Sequence, residues 1–219
     1  MFAGHVAIGL ALKKAEPRVN LGWLIFAAMF IDFLLGVLVL AGVEQIHVPA
    51  NYADLHYLTY NFPYSHGLAA NLIWATLAFF VARTAWPDRG RRTVMGLIVA
   101  AAVFSHWVLD FIVHVPELPV LGAASARLGL GLWDHFAAAL ALELALLGAG
   151  LFIYLRTIKP GSRLTRYGVT ALAAVVAVPT VGQMFATQAP PAVGAAATWV
   201  LETLLLAGIA FWLDRKSGA

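Results

Sequence analysis

Six long apolar runs constrain what this chain can fold into. They cover about 21–42, 64–84, 93–115, 132–156, 167–187 and 195–213. Each is close to the ~20 residues that a helix needs to cross the ~30 Å hydrocarbon core of a bilayer. Only 11% of the residues are charged and 62% are hydrophobic, which leaves too few polar side chains to cover a water-facing surface. We therefore predict an all-α, polytopic membrane helix bundle that forms a single integral membrane domain over residues 1–219.

A shorter apolar segment precedes the six runs. It covers residues 3–12 and is interrupted by His5. Ten helical residues rise only ~15 Å, so this segment cannot cross the bilayer. We predict a short N-terminal helix, inserted or re-entrant, because such a segment is tolerated at membrane depth only where protein covers it.

The charges between the runs predict an orientation. Lys and Arg cluster at 13–18, 83–92 and 156–166, and the tail carries Arg215 and Lys216. The 43–63 connection has no Lys or Arg. By the positive-inside rule, the protein is predicted to be a multi-pass protein of the plasma (inner) membrane with a cytoplasmic C-terminus.

The same distribution bears on partners and compartment. The net charge of +3 is small, and the basic residues lie in short clusters between the apolar runs. We therefore expect membrane lipid and no nucleic acid as a partner. The absence of cysteine excludes disulfides and thiolate chemistry. The sequence specifies no oligomeric state.

One of the apolar runs contains three ionisable residues at helical spacing. His106, Asp110 and His114 are four residues apart and therefore share a helix face. Ionisable side chains inside a membrane helix are costly and mark functional sites. His106 and Asp110 form a plausible half-site for a metal, whereas His114 lies two turns, or ~12 Å, from His106 and is predicted at the outer rim.

Depth within the runs predicts which other residues join this pair. Ionisable residues between the membrane centre and its outer half come from separate segments, and each must avoid lipid. One shared interior cluster satisfies all of them, with His66 closing it from the outer side. The predicted members are His5, Asp32, His106, Asp110 and Glu143.

Imidazole and carboxylate groups together suit a divalent first-row metal, with zinc foremost and manganese or iron as alternatives. A carboxylate that does not bind the metal could act as a general base. Two simpler interpretations stay open. A histidine such as His5 can merely hydrogen-bond a neighbouring helix, and chains of Asp, Glu and His also serve ion or proton pathways.

Three further features bear on function less directly. The aromatic 43–63 loop is either an interfacial belt or a lid over a site on that side. Asp134 and His135 begin a helix, where Asp is a common N-terminal residue. Ser65 and Ser105 each precede a His, but adjacent helical residues point ~100° apart, so neither is predicted to act as a nucleophile activated by its neighbour.

Several short motifs together resemble one family. They are Gly4-His5, Ile31-Asp32, Ser65-His66 and Ser105-His106-x-x-x-Asp110 followed by a Pro-containing turn. Over roughly residues 1–120 the chain resembles the YdjM-like integral membrane proteins, which are described as membrane-bound metal-dependent hydrolases. The resemblance implies a metal and catalytic set of His5, Asp32, His66, His106 and Asp110. Within it we expect catalytic roles for Asp32 and His66, with Glu143 and His114 beside the ligands.

The sequence departs from the family pattern at two places. A first-helix motif Pro-Asp-x-Asp-His is reduced to Asp32 within Phe30-Ile-Asp-Phe33, and His-Arg-Gly-x-x-His-Ser is reduced to Pro63-Tyr-Ser-His-Gly67. Two or three potential ligands are therefore missing, which weighs against a two-metal site.

The function predicted from these features is metal-dependent hydrolysis of an ester or phosphoester in a lipid-like, amphiphilic substrate. The site is expected in the outer half of the membrane. The alternatives are a non-enzymatic metal or proton binding or transport protein, and a structural membrane protein with a degenerate site.

Overall fold

The computed structural model describes residues 1–158 and 163–215; Lys216 lies outside them. The helices are α1 Phe2–Leu12, α2 Leu21–Leu40, α3 Tyr52–Leu55, α4 Leu68–Ala85, α5 Arg92–Val113, α6 Phe136–Thr157, α7 Arg163–Gly182 and α8 Ala192–Arg215. Two antiparallel hairpins pair β1 Gln45–His47 with β2 Thr59–Asn61, and β3 Leu118–Pro119 with β4 Arg127–Leu128. The predicted all-α bundle is confirmed.

Within residues 1–158 and 163–215, six helices are long and apolar enough to cross a membrane, so the chain is a multi-pass membrane protein. Two of their bounds differ from the prediction in ways that matter for the site. Residues 63–66 form a turn, and α4 begins only at Leu68. Helix α5 ends at Val113, three residues before Pro116, because a proline disfavours helical backbone in the residue before it.

The short helix α1 is enclosed by protein, as a non-spanning segment at membrane depth requires. Helices α2, α5, α6 and α7 all pack against it. Two glycines allow this close approach: a Cβ on Gly9 would collide with the backbone of Ile25, and one on Gly150 would collide with the backbone of Ala7. Small residues are the usual means by which membrane helices approach closely.

Helix α8 packs along the length of α2, and α4 packs against α5. The α2–α8 contact again depends on glycine. Gly22 lies against the carbonyl of Ala207, and Gly36 lies against the carbonyl of Ala196. This tight pairing fixes α2, which carries Asp32.

One end of the bundle gathers three connections. Residues 41–67, 114–135 and 183–191 all contribute side chains to one cavity. We call this end the loop end. Both hairpins lie in these connections and give the backbone of the loops hydrogen-bond partners.

The opposite end is held by ion pairs. The ammonium group of Lys13 contacts the carboxylate of Asp214 and donates to the carbonyl of Val19. Glu16 is buried and accepts hydrogen bonds from Arg18 and Arg91. The hydrogen bonds from Arg18 are the main cause that lowers the pKa of Glu16 to about 2, so this carboxylate stays charged near neutral pH.

Two glycines of α6 provide a test of how α1 is held. Gly150 touches α1, whereas Gly148 has open space where a Cβ would be. Gly150→Ala should reduce the free energy of unfolding by about 1–3 kcal/mol, the usual cost of overpacking. Gly148→Ala should cause no loss of stability, since alanine is the better helix former. Thermal unfolding in lipid nanodiscs measures both, and equal effects of the two changes would contradict the packing of α6 on α1.

Candidate metal centre

Asp110 lies at the centre of a buried polar cluster near the loop end. Its carboxylate is 1% exposed. Three imidazole nitrogens approach the same oxygen, Oδ2: Nε2 of His106 at 3.2 Å, Nε2 of His66 at 3.3 Å and Nε2 of His114 at 3.8 Å. A single carboxylate oxygen is therefore the meeting point of three histidines.

The remaining predicted residues surround the same carboxylate. Oδ1 of Asp110 lies 3.1 Å from Nε2 of His5 and 3.0 Å from the nitrogen of Met1. Oδ1 of Asp32 lies 3.4 Å from Nε2 of His106 and 3.6 Å from Nε2 of His66. The structure thus brings together all five residues predicted as metal ligands.

Two overlapping triplets have ligand atoms that lie within 4.8 Å of one another. One is His5, Asp32 and His106, and the other is His66, His106 and Asp110. Both share His106. Three protein ligands are the number that a catalytic zinc takes, with a fourth position left for water.

The ring of His106 is oriented by the backbone of α2. Its Nδ1 lies 2.9 Å from the carbonyl oxygen of Ala28, which can only accept, so Nδ1 carries a proton. The neutral ring then has its lone pair on Nε2. Nε2 is buried and has no hydrogen-bond partner among the described residues. The imidazole ring of His5 stacks on the imidazole ring of His106, with ring centroids 3.6 Å apart and ring planes at 10°.

His66 is oriented by a short chain of hydrogen bonds. The Ser65 hydroxyl donates to Oε2 of Glu44 at 2.6 Å, so Nδ1 of His66, 2.8 Å away, donates to the Ser65 oxygen. Glu44 also accepts the backbone N–H groups of Tyr64 and Ser65. The lone pair of His66 therefore points inward, toward Asp32 and Asp110.

His114 lies closer to the cluster than its sequence spacing predicted. The ~12 Å separation assumed a helix through residue 115, but α5 ends at Val113 and His114 has extended backbone, φ −64° and ψ 142°. Its side chain is buried. Nδ1 donates to Oε1 of Glu117 at 2.6 Å, which leaves Nε2 facing Asp110.

A cavity of about 450 Å³ reaches the cluster from the loop end. Asp32, His66, Asp110 and His114 line it, while His5 and His106 lie behind them. The carboxylate of Asp32 is 16% exposed. Asp32 is therefore the least covered of the carboxylates at the centre.

The aromatic residues at 52–64 are divided between the cavity and the surface. Tyr52, Tyr57, Tyr60 and Phe62 line the cavity, whereas Tyr64 is 57% exposed, as an interfacial residue would be. The lid interpretation therefore applies to the residues that line the cavity and the belt interpretation to Tyr64, and both stay predictions.

Tyr57 joins the loop to the connection before α6. Its hydroxyl donates to Oδ1 of Asp134 at 2.8 Å and its ring stacks on Trp133. Burial, and then the bond to Asp134, raises the pKa of Tyr57 to about 12, so it donates as a neutral phenol. Asp134 thus ties two connections together from the 3₁₀ turn Leu132–His135, which precedes α6.

Glu143 supports the cluster indirectly. Its Oε2 accepts the backbone N–H of Ala3 at 2.8 Å, in the first turn of α1. A helix N-terminus has unpaired N–H groups and favours a nearby negative charge. Glu143 therefore holds the helix that carries His5, and it also lines the cavity.

Three supporting residues were missed by the sequence analysis. Ser65 was placed on a helix, but residues 63–66 form a turn that brings its hydroxyl to the ring of His66. Glu44 lies 21 residues before Ser65 across an irregular loop, so no periodicity could connect them. Glu117 lies three residues after His114, and this spacing was an available signal.

The donors at this centre fit a divalent cation. Three imidazole lone pairs face two carboxylates in a buried space, and the second ring nitrogens are held by a carbonyl, a hydroxyl and a carboxylate. This is the arrangement that orients histidine ligands in metal sites. The residues could therefore hold a metal ion.

Comparison with protein-family models, with curated proteins and with solved structures found no match. The resemblance of residues 1–120 to YdjM-like proteins therefore stays a prediction.

Ser65 and Ser105 form a matched pair, since each precedes a histidine of the cluster. Ser65 orients its neighbour, whereas the Ser105 hydroxyl donates to the carbonyl of Ala102 in its own helix. Ser65→Ala should weaken zinc affinity by about 10–100-fold, the usual effect of removing a group that orients a ligand. Ser105→Ala should leave the affinity unchanged. Competition titration with a zinc chelator measures both, and a wild-type affinity in Ser65→Ala would refute the orienting role.

Proposed function

We propose that the protein is a membrane-embedded metal-dependent hydrolase that acts on an ester or phosphoester of an amphiphilic substrate. The observation that carries the proposal is the buried Nε2 of His106. It lies buried between two carboxylates, at 3.2 Å from Asp110 and 3.4 Å from Asp32, and His106 belongs to both triplets of candidate ligands. A nitrogen in that position needs a cation between it and the carboxylates, and the convergence of further ligand atoms on the same place favours a metal ion over a proton.

The metal would be held by residues from the two triplets, His5, Asp32, His66, His106 and Asp110, and zinc is the metal that we propose, with manganese or iron as alternatives. A bound metal of this kind supplies an acidified water and polarises the oxygen of an ester or phosphoester.

The chain itself contributes proton transfer and positioning. Asp32 faces the cavity with part of its carboxylate exposed, where it can accept a proton from water. His66 also lines the cavity, and its orientation by Ser65 and Glu44 keeps Nε2 directed at the reacting region. These are the two residues for which we propose catalytic roles.

The substrate class follows from where the cavity lies. It is bounded by aromatic loop residues at one end and by spanning helices along its sides. A substrate with a polar headgroup and an apolar part could place the first near the polar residues of the cavity and the second between the spanning helices. We propose that the loop end faces outward from the plasma (inner) membrane and that the C-terminus is cytoplasmic, since the basic connections lie at the opposite end.

Hydrolysis is favoured over an ion or proton pathway by what lies between the cluster and the opposite end. Toward that end, the buried polar groups include Lys13, which follows α1, Tyr154 on α6 and Asp214 on α8. A layer of apolar side chains separates them from the cluster: Leu10, Leu21, Ile25, Met29 and Leu147. A conducting pathway needs polar groups or water across that layer.

Elemental analysis of purified protein tests the metal centre. Wild-type protein is expected to contain a divalent metal, and His106→Ala should lose most of it, because both triplets share His106. His135→Ala is the control, since His135 is exposed. His106→Gln, which keeps a polar side chain of similar size, guards against misfolding. Wild-type protein that stays metal-free after incubation with zinc, manganese and iron would overturn the proposal.

The role of Asp32 is tested by hydrolysis of fluorogenic lipid esters and phosphoesters in proteoliposomes. Asp32→Asn should reduce kcat by about 10²–10⁴-fold, the range expected when a general base is removed. Asp54→Asn, a change at an exposed loop residue, should behave like wild type. Metal content measured on the same samples separates loss of a base from loss of a ligand. Unchanged kcat in metal-loaded Asp32→Asn would remove Asp32 from the chemistry.

A further inference from the structure

A second cavity lies between α7 and α8. Its volume is about 430 Å³, within the usual range for ligand pockets. Apart from Glu202, its lining side chains are apolar or glycine, and they form a groove along the two helices. We call it the α7–α8 groove, lined by Phe2, Gly168, Ala171, Leu172, Val175, Val176, Pro179, Glu202, Leu205, Leu206 and Ile209.

The groove meets the main cavity. Phe2, Pro179 and Glu202 line both. These three side chains therefore lie between the two adjacent cavities. A ligand that displaces one of them could occupy both, with one part beside the candidate metal centre and the other between the helices.

The side approach is exposed on the surface that lies at membrane depth. Leu172, Val176 and Leu206 are buried and form the floor, whereas Val175 is 62% exposed and Leu205 62% exposed at the rim. Both helices are long and apolar enough to span a membrane. The rim therefore faces the hydrocarbon of the bilayer, where acyl chains are the surrounding molecules.

The length of the groove matches one leaflet. From Pro179 to Gly168 the helix advances eleven residues, or ~16 Å. Half of a ~30 Å hydrocarbon core is ~15 Å, which is the depth that an acyl chain occupies. The groove begins beside the main cavity at Pro179 and runs along α7 to Gly168, away from the loop end. An acyl chain whose polar headgroup lies near the loop end would extend in the same direction.

Glu202 is half-buried and lies between the two cavities. No hydrogen bond or ion pair joins its carboxyl group to the residues that the structure describes. A carboxyl group at this depth is stabilised by a polar partner, which a ligand in the cavities could supply. The polar part of a ligand should therefore reach Glu202, and its apolar part should begin there.

We propose that the α7–α8 groove binds an acyl chain of the substrate, which enters sideways from the bilayer, while its hydrolysable polar group lies in the main cavity beside Asp32 and His66. The inference rests on the proposed hydrolase for the identity of the bound molecule as substrate. The groove as an acyl-chain site stands on its own geometry.

The test uses proteoliposomes of phosphatidylethanolamine and phosphatidylglycerol with a trace of phospholipid that carries a diazirine in one acyl chain. Photocrosslinks mapped by mass spectrometry should concentrate on α7 and α8 at the groove. Val175→Trp fills the rim and should lower the crosslinking yield by about tenfold, as expected when several methylenes lose their contacts. Val178→Trp is the matched control: Val178 lies three residues further along the same helix, is 72% exposed and lines neither cavity.

A kinetic readout links the groove to hydrolysis. Val175→Trp should raise KM for a long-chain ester by about tenfold and leave turnover of a short, water-soluble ester unchanged. Crosslinks that are spread evenly over all lipid-facing helices, or that survive Val175→Trp, would overturn the proposal. The proposal would also be overturned if the groove gave no lipid crosslinks because a second copy of the chain occupies it. Localised crosslinks in protein that hydrolyses neither ester would support the acyl-chain site and reject the hydrolase.

Discussion

The structure depends on one buried carboxylate. Asp110 lies inside a bundle whose surroundings are hydrocarbon, where an isolated charge is strongly unfavourable. It is tolerated because His5, His66, His106 and His114 all direct ring nitrogens at its oxygens. Those residues come from α1, from the turn before α4, from α5 and from the residue that follows α5, so these segments must pack together for the carboxylate to be compensated. The glycine contacts that let α1 approach α2 and α6 serve the same requirement.

The outer hydrogen bonds decide what the inner atoms can do. Ala28, Ser65 and Glu117 accept from Nδ1 of His106, His66 and His114, which directs each Nε2 toward Asp110. His106 Nε2 lies 3.2 Å from Asp110 and 3.4 Å from Asp32, so a cation, either a proton or a metal ion, is needed between the ring and the carboxylates. Ligand atoms of His5 and His66 lie within 4.8 Å of the same atoms, and this convergence is why we favour a metal over a chain of proton carriers.

Sequence reasoning identified the inner residues and missed those that support them. Asp32, His106 and Asp110 lie deep within long apolar runs, so the cost of exposing them to lipid was enough to place them together. His114 was placed too far away, because its position depends on where α5 ends and on an extended backbone at one residue. Glu44 was missed because loop geometry, with no periodicity, brings it to Ser65. The cost of exposing ionisable side chains to lipid predicts which residues lie inside the bundle. It does not predict which hydrogen bonds orient those residues.

The shapes of the two cavities add a constraint that the cluster alone does not supply. The main cavity is polar where it touches Asp32 and aromatic at the loop end, whereas the α7–α8 groove is apolar beyond Glu202. A small polar ligand would fill only the first space, and a purely apolar one would leave the polar side chains of Glu202 and the candidate metal centre without polar contacts. An amphiphile satisfies both, with its polar group at the centre and its chain along the groove. Because the groove faces the bilayer sideways, such a molecule could reach the centre without leaving the membrane.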